Sequence, residues 1–375
     1  MTAAFGFELL SVDPSTGARR GRLFTPRGDA DTPAFMPVGT HGAVKSLSPD
    51  ELAATGSRII LGNTYHLYLR PGHEVIAGLG GLHDFMAWSG PILTDSGGFQ
   101  IFSLAALRKV EDHGVDFRSH LDGSSHTITP EKAIEIQAAL GSDISMVLDE
   151  CPPATATKDS IVQAMRRTTH WGARCKQAFG DGRGRALFGI VQGGVHEDLR
   201  REHAAEIVAI GFDGYAVGGV SVGEAPEQVL AVGRLMGELL PARAPRYMMG
   251  LGSPQDLLHL IGYGFDMFDC VMPTRNARNG MLFTSRGPLH IRNETFARDR
   301  RPVDAGCSCY GCCRFSRAYL RHLFLSGEIL GHRINTLHNL AFYQSLMRGA
   351  REAIQEGRYA VWRDETLAHL REGPA

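Results

Sequence analysis

About eight short apolar runs, each closing on a glycine-rich or polar turn and many followed by a helical pattern, predict a (β/α)8 barrel. The rhythm stops after Thr274. Beyond it lies Cys307-x-Cys309-x-x-Cys312, a cluster of soft ligands that predicts a C-terminal zinc-binding subdomain. The expected division is residues 1–274 for the barrel, and residues 275–375 for the zinc-binding subdomain with C-terminal helices packed on the barrel. A doubly wound open sheet is the alternative, since periodicity alone cannot close a barrel. No G-x-G-x-x-G follows the first run, which counts against a dinucleotide fold.

In chain order, the runs are residues 33–38, 58–61, 91–94, 143–148, 186–191, 214–217, 246–249 and 266–271. Helical patterns fall between them at 130–140, 158–178, 196–210, 226–239 and 253–262. Strands alternating with helices imply a parallel sheet with crossover helices. Residues 109–129 interrupt this order, and alternation around Asp122-Gly123 reads as a β-hairpin insertion. Residues 275–313 are rich in Arg, Gly and Cys, and two helical stretches follow at 316–325 and 335–356. No internal repeat or low-complexity linker is visible.

Composition narrows the class. With 375 residues, 43% hydrophobic and 21% charged, the chain resembles a soluble globular protein that needs no disulfides. No apolar run reaches the roughly 18 residues of a membrane span. Residues 1–21 lack a basic stretch followed by an apolar one, so no secretory signal is expected and the expected location is cytoplasmic. The 7 cysteines are odd in number, and four lie within residues 307–313, which fits metal ligation in a reducing compartment better than disulfides. Net charge is -1, but Arg275 to Arg333 holds eleven Arg and no Lys against Glu294, Asp299, Asp304 and Glu328. Clustered Arg suits a phosphate-rich partner. A solvated face with acidic partners elsewhere in the fold is the plainer reading.

In an α/β barrel the active site lies at the C-terminal strand ends. Those ends carry Asp95, Asp149-Glu150-Cys151, Gln192-Gly193-Gly194, Gly218-Gly219, the turn 250–252 and Asp269. Any one Asp there is as readily a helix N-cap, and any one Gly a turn; it is their recurrence that implies a site. Two carboxylates suit glycosyl transfer, one attacking the anomeric carbon and the other moving a proton. The third carboxylate and the Gln192 amide suit the edge of a flat polar base. Gly219 lets a backbone N–H approach a ligand. Phe99 and Met249 suit a stacking pair, although ordinary core packing explains them as well.

Three cysteines within six residues favour a tetrahedral zinc, and His322, His332 and His338 all qualify by spacing as a fourth ligand. Cys313 is adjacent and expected to be free, since neighbouring residues rarely reach one ion together. A filled shell of three Cys and one His makes the metal structural. A zinc hydrolase is the competing reading, and the barrel carboxylates make a metal-free mechanism sufficient.

These motifs together resemble the bacterial tRNA-guanine transglycosylases, or queuine tRNA-ribosyltransferases, over about residues 5–357. The matching residues are Gly62-Asn63-Thr64-Tyr65-His66-Leu67, Thr94-Asp95-Ser96-Gly97-Gly98-Phe99-Gln100, Asp149-Glu150-Cys151 and Gly189-Ile190-Val191-Gln192-Gly193-Gly194. Further on are Gly218-Gly219, Asp266-Met267-Phe268-Asp269-Cys270, Pro273-Thr274-Arg275, Arg278-Asn279-Gly280 and the cysteine cluster. Val220 departs from the pattern, many relatives having Leu there; both are apolar and the expected contact is through backbone.

The resemblance implies exchange of the wobble guanine in tRNAs for Asp, Asn, His and Tyr against 7-aminomethyl-7-deazaguanine, on the route to queuosine. It implies Asp269 as nucleophile on the ribose and Asp95 as proton acceptor from the incoming base. It implies Ser96, Phe99, Asp149, Cys151, Gln192, Gly219, Val220 and Met249 around the base. Gly250 and Asp256, with Thr274, Arg275 and Arg278, are implied tRNA contacts, and His338 the fourth zinc ligand. Cys151 and Val222 favour the aminomethyl base over queuine. The expected course is a double displacement with retention through a covalent Asp–ribose ester, in a homodimer and without ATP or nicotinamide. An archaeal-type relative acting elsewhere in tRNA is disfavoured, because such enzymes carry extra C-terminal RNA-binding domains for which this chain leaves no room. A non-catalytic tRNA-binding subunit is disfavoured because both catalytic carboxylates are present.

Overall fold

In the computed structural model, which describes residues 4–104, 107–220 and 223–373, eight parallel strands close into a barrel. They are β1 (Ala34–Met36, continuing as Val38–Gly39), β2 (Ile60–Gly62), β3 (Ile92–Thr94), β4 (Ile144–Met146), β5 (Ala186–Val191), β6 (Gly214–Val217), β7 (Arg246–Met248) and β8 (Met267–Asp269). The barrel closes through β1. Its first half pairs with β8, Phe35 opposite Phe268, and its second half pairs with β2, Val38 opposite Leu61. Pro37 sits at the break, where it has no N–H to offer and its carbonyl accepts from Leu61 N at 3.0 Å. Pairing of the first strand with the last excludes the open doubly wound sheet.

Every residue of β2, β3, β4 and β5 is buried. Such strands are covered on both faces, which is why they read as unbroken apolar runs. Thr129, Thr157 and Ser253 cap the helices Pro130–Leu140, Lys158–Phe179 and Pro254–Gly262 through their side-chain oxygens. The crossover from β2 to β3 is three helices of six residues each, Thr64–Leu69, His73–Gly78 and Gly81–Met86. Each is too short to show a helical period in sequence.

Between β3 and the helix Pro130–Leu140 lies an antiparallel sheet of Arg108–Glu111, Gly114–Arg118 and Ser125–Ile128. Asp122-Gly123 turns its second strand into its third, and Arg108–Glu111 adds a strand to that hairpin. Another antiparallel sheet, Gly6–Val12, Arg19–Thr25 and Gly28–Thr32, packs at the N-terminal ends of the barrel strands. Arg19 ties it down by pairing with buried Asp266, just before β8, and by donating to the Ala242 and Ala244 carbonyls at 2.7 and 2.6 Å. The strand-and-helix rhythm did not anticipate this sheet.

After β8 the helix Met272–Arg278 leads to a strand pair, Met281–Thr284 with Gly287–His290. A second small core of Leu282, Leu289, Ile291, Phe296, Val303, Leu320, Leu323 and Ile334 forms there. The helix Ile329–Gln355 joins it to the barrel. Asn339 on this helix donates to the carbonyls of Pro273 and Met281, both at 3.0 Å, and accepts from Phe283 N at 3.0 Å. Gln344 donates to Phe35 O at 3.0 Å on β1, and Tyr343 OH to Gly252 O. One helix therefore sets the small core against the C-terminal barrel mouth.

Candidate active site

A cavity of about 730 Å³ opens at the C-terminal ends of the strands. Asp95, Asp149 and Asp269 line it, each following or ending a strand. Asp95 Oδ2 accepts from Asn63 Nδ2 at 2.5 Å and Gln100 Nε2 at 2.9 Å, and Oδ1 from Thr64 N at 2.8 Å. Burial still pushes its pKa up to about 6 against those three donors, and the Asp269 charge adds to the rise. Asp149 accepts from Ser96 Oγ at 3.2 Å and Gln192 Nε2 at 2.7 Å, and burial likewise raises it to about 6. Asp269 Oδ1 accepts from Tyr247 OH at 2.5 Å and Gly250 N at 2.8 Å. Burial raises its pKa and these two donors oppose the rise. Among the described residues no hydrogen bond falls on Asp269 Oδ2.

Ser96, Phe99, Cys151, Gly219, Val220 and Met249 share this cavity with the three carboxylates. Phe99 is 49% exposed, as a group awaiting a stacking partner would be. Burial raises the Cys151 thiol to about 12, so it is neutral. Gln192 does not line the cavity. It is 1% exposed, donates to Asp149 from behind, and its Oε1 has no partner among the described residues. Gly219, at φ +63°, leaves the space that Oε1 fills, since a Cβ there would lie 2.3 Å from it. Val222 falls outside the described residues.

Of the expected tRNA contacts, Gly250, Asp256 and Arg275 line the cavity, and Thr274 and Arg278 do not. Thr274 is buried, and its carbonyl accepts from Arg278 Nη1 at 2.9 Å. The Arg surplus is partly answered within the fold. Arg301 and Arg317 pair with Asp299, Arg321 with Glu294, Arg333 with Glu51 and Arg286 with Glu372. Asn63, Gln100, Tyr247 and His66 also belong to the site, with no role read for them from sequence. Asn63 had a signal, since it follows β2 as Asp95 follows β3. Tyr247 had none, being one more large residue in a buried run. Burial, then the charges of His41, His120 and Lys45, lower His66 to about 4, so it lines the cavity as a neutral imidazole.

Cys307, Cys309, Cys312 and His338 offer four ligand atoms that all lie within 4.8 Å of one another. His338 Nδ1 is 3.8, 3.6 and 3.3 Å from the three sulfurs. Zinc bonded tetrahedrally at its usual lengths would put nitrogen and sulfur about 3.6 Å apart, so the donor set fits that ion. His338 Nε2 bonds the Phe283 carbonyl at 2.7 Å, which fixes the tautomer with Nδ1 free to ligate. His322 and His332 are not in the group, and Cys313 is exposed with its thiol toward Ser308 O at 3.4 Å. With four protein ligands no position remains for water, as in structural sites. Among the described residues no helix is long and apolar enough to cross a membrane.

Comparison with known proteins places residues 13–372 in the family model described as queuine tRNA-ribosyltransferase. A queuine tRNA-ribosyltransferase of Syntrophobacter fumaroxidans is 57% identical over 357 residues, covering 95% of each chain. One of Solidesulfovibrio magneticus is 54% identical over 365 residues, covering 97% of this chain and 98% of its own. One of Thioalkalivibrio sulfidiphilus is 56% identical over 357 residues, covering 95% of each.

Proposed function

Because the chain belongs to the queuine tRNA-ribosyltransferase family, we propose that it is a tRNA-guanine transglycosylase, a pentosyltransferase of queuosine synthesis that exchanges the wobble guanine of tRNAs for Asp, Asn, His and Tyr for 7-aminomethyl-7-deazaguanine. The observation that carries the mechanism is a pair of carboxylates on one cavity with unlike surroundings, Asp95 buried and Asp269 half-buried. Asp269 has one oxygen held by two donors and the other uncommitted among the described residues, as suits a nucleophile. Asp95 titrates near 6, as suits a group that gives and takes a proton near neutral pH.

Asp269 Oδ2 attacks C1′ of the ribose. The C1′–N9 bond breaks, its electron pair leaves with guanine, and the departing base takes a proton from Asp95 or water. The tRNA is then held as an ester on Asp269. The incoming base gives its N9 proton to Asp95 and attacks C1′, releasing the Asp269 carboxylate. Two inversions give net retention. Asp149, positioned by Gln192, accepts from the N–H donors of the base, and the Gly219 backbone donates to its carbonyl. Phe99 and Met249 stack on the base, with Ser96, Cys151 and Val220 closing the pocket. Cys151 is the residue in view that favours the aminomethyl base over queuine. Gly250, Asp256 and Arg275 meet the tRNA directly, while Thr274 and Arg278 hold that rim in shape.

Residues 1–274 are the catalytic unit and residues 275–375 the zinc-binding one. Zinc on Cys307, Cys309, Cys312 and His338 fixes the Arg-rich segment beside the mouth and takes no part in the chemistry. The family resemblance implies a homodimer, in keeping with a tRNA too large for one barrel mouth, and the enzyme works in the cytoplasm. A native mass showing only a 40.8 kDa species would count against the dimer. The test of function is incorporation of labelled guanine into a tRNA with a wobble guanine, and its chase by 7-aminomethyl-7-deazaguanine. Failure of both exchanges would overturn the reading.

A further inference from the structure

Arg200 lies on the helix Glu197–Ile210, behind the base pocket, and is 0% exposed. Burial lowers its pKa, but only to about 10, so it stays charged at neutral pH. Among the described residues no carboxylate forms an ion pair with it. Its guanidinium donates instead to backbone carbonyls at the ends of two neighbouring strands. Nε reaches Gly194 O at 2.8 Å in the turn after β5, and Nη1 reaches Val191 O at 2.9 Å at the end of β5. Nη2 reaches Gly218 O at 2.8 Å and Gly219 O at 3.3 Å, in the turn after β6. One turn further along the same helix, His203 Nδ1 accepts from Gln192 N at 2.7 Å.

A buried charge whose hydrogen bonds all go to backbone carbonyls, with the Glu224 charge helping it without an ion pair, is costly, and its persistence asks for a use. In a trans peptide the C=O of one residue and the N–H of the next point in opposite directions. Two successive carbonyls, of Gly218 and Gly219, are drawn onto the same nitrogen of Arg200. The N–H groups of Gly219 and Val220 are thereby turned together away from Arg200, and Gly219 and Val220 line the cavity. The positive φ of Gly219, +63°, is what lets both peptides face one way. Successive N–H groups turned to one side make a small concave donor site.

We infer that Arg200 is a positioning residue for base specificity: it holds the Gly218–Gly219–Val220 peptides so that their N–H groups present a paired donor site to the 6-oxo group of guanine-type bases. This rests on the transglycosylase reading above. Arg200 touches no substrate; it acts through backbone orientation.

The experiment compares wild type with Arg200→Lys, which keeps the charge but has three donors on one atom and cannot span the two turns, and with Arg200→Gln, which loses the charge. Folding is checked by thermal melting. Inhibition of labelled-guanine exchange is measured with guanine and with 2-aminopurine, which lacks the 6-oxo group and the N1 hydrogen. The N1 contact to Asp149 is lost in every enzyme alike, so a change in the ratio of inhibition constants between enzymes reports the 6-oxo site. The expected result is a preference for guanine that falls about tenfold in both variants, the scale of one hydrogen bond, with the KM for tRNA within about twofold of wild type. A lowered kcat with an unchanged ratio would make Arg200 purely structural and overturn the inference. So would failure of both variants to fold. Wild type without guanine exchange would instead overturn the transglycosylase reading, and this inference with it.

Discussion

Asp95 accepts three hydrogen bonds and is still pushed up to about 6, because burial outweighs them. Its folded value lies above the ordinary 3.8, so its contribution to stability is full below about 3.8 and is lost as pH rises through about 6. The base-accepting form gains over that same window. Exchange activity is therefore expected to rise with pH through about 6, and the melting temperature of Asp95→Asn to gain on that of wild type between pH 5 and 7.5. A flat profile across pH 5–7 would remove Asp95 from the proton-transfer role. Tyr247 holds Asp269 Oδ1 and opposes the effect of its burial. Tyr247→Phe should lower kcat roughly tenfold or more, the scale of a hydrogen bond to a charged group. The carboxylates were legible in the sequence because a charge at the end of an apolar run stands out. Tyr247 was not, because its hydroxyl is carried by a side chain that also belongs in a core. Gln192 was legible as a site residue, but whether its amide meets the ligand or Asp149 depends on rotamer and packing, which spacing does not contain.

Among the elements, the strand ends, the major crossover helices and the cysteine cluster were visible as periodicity and spacing. The short helices between β2 and β3 were not, since six residues hold less than two turns. Nor was the N-terminal sheet, whose outer strand Gly6–Val12 is largely exposed and carries no continuous apolar run. The fourth metal ligand was undecided by spacing alone, because three His lie downstream. It is the helix Ile329–Gln355, with Asn339 bridging Pro273, Met281 and Phe283, that brings His338 to the sulfurs. His338→Ala, or a strong chelator, should release one zinc per chain, lower the melting temperature and reduce tRNA binding before it alters base binding. Cys313→Ser should leave metal content and melting temperature unchanged. Zinc loss from Cys313→Ser, or full zinc retention by His338→Ala, would contradict the assignment.

For the whole molecule, the alternation of strands and helices was legible but closure was not, because periodicity along the chain does not say whether the first and last strands pair. On either side of Pro37, β1 pairs with β8 and with β2. The closed barrel brings Asp95 from β3 and Asp269 from β8, far apart in sequence, to one cavity. In the proposed reaction these two carboxylates divide the chemistry, Asp269 forming the bond to ribose and Asp95 moving the proton. Its most direct test is trapping under denaturing conditions. Wild-type protein mixed with wobble-guanine tRNA and quenched in detergent should run partly as a protein–RNA adduct, and Asp269→Asn should give none. An adduct that persists in Asp269→Asn would mean that another group forms the bond to ribose.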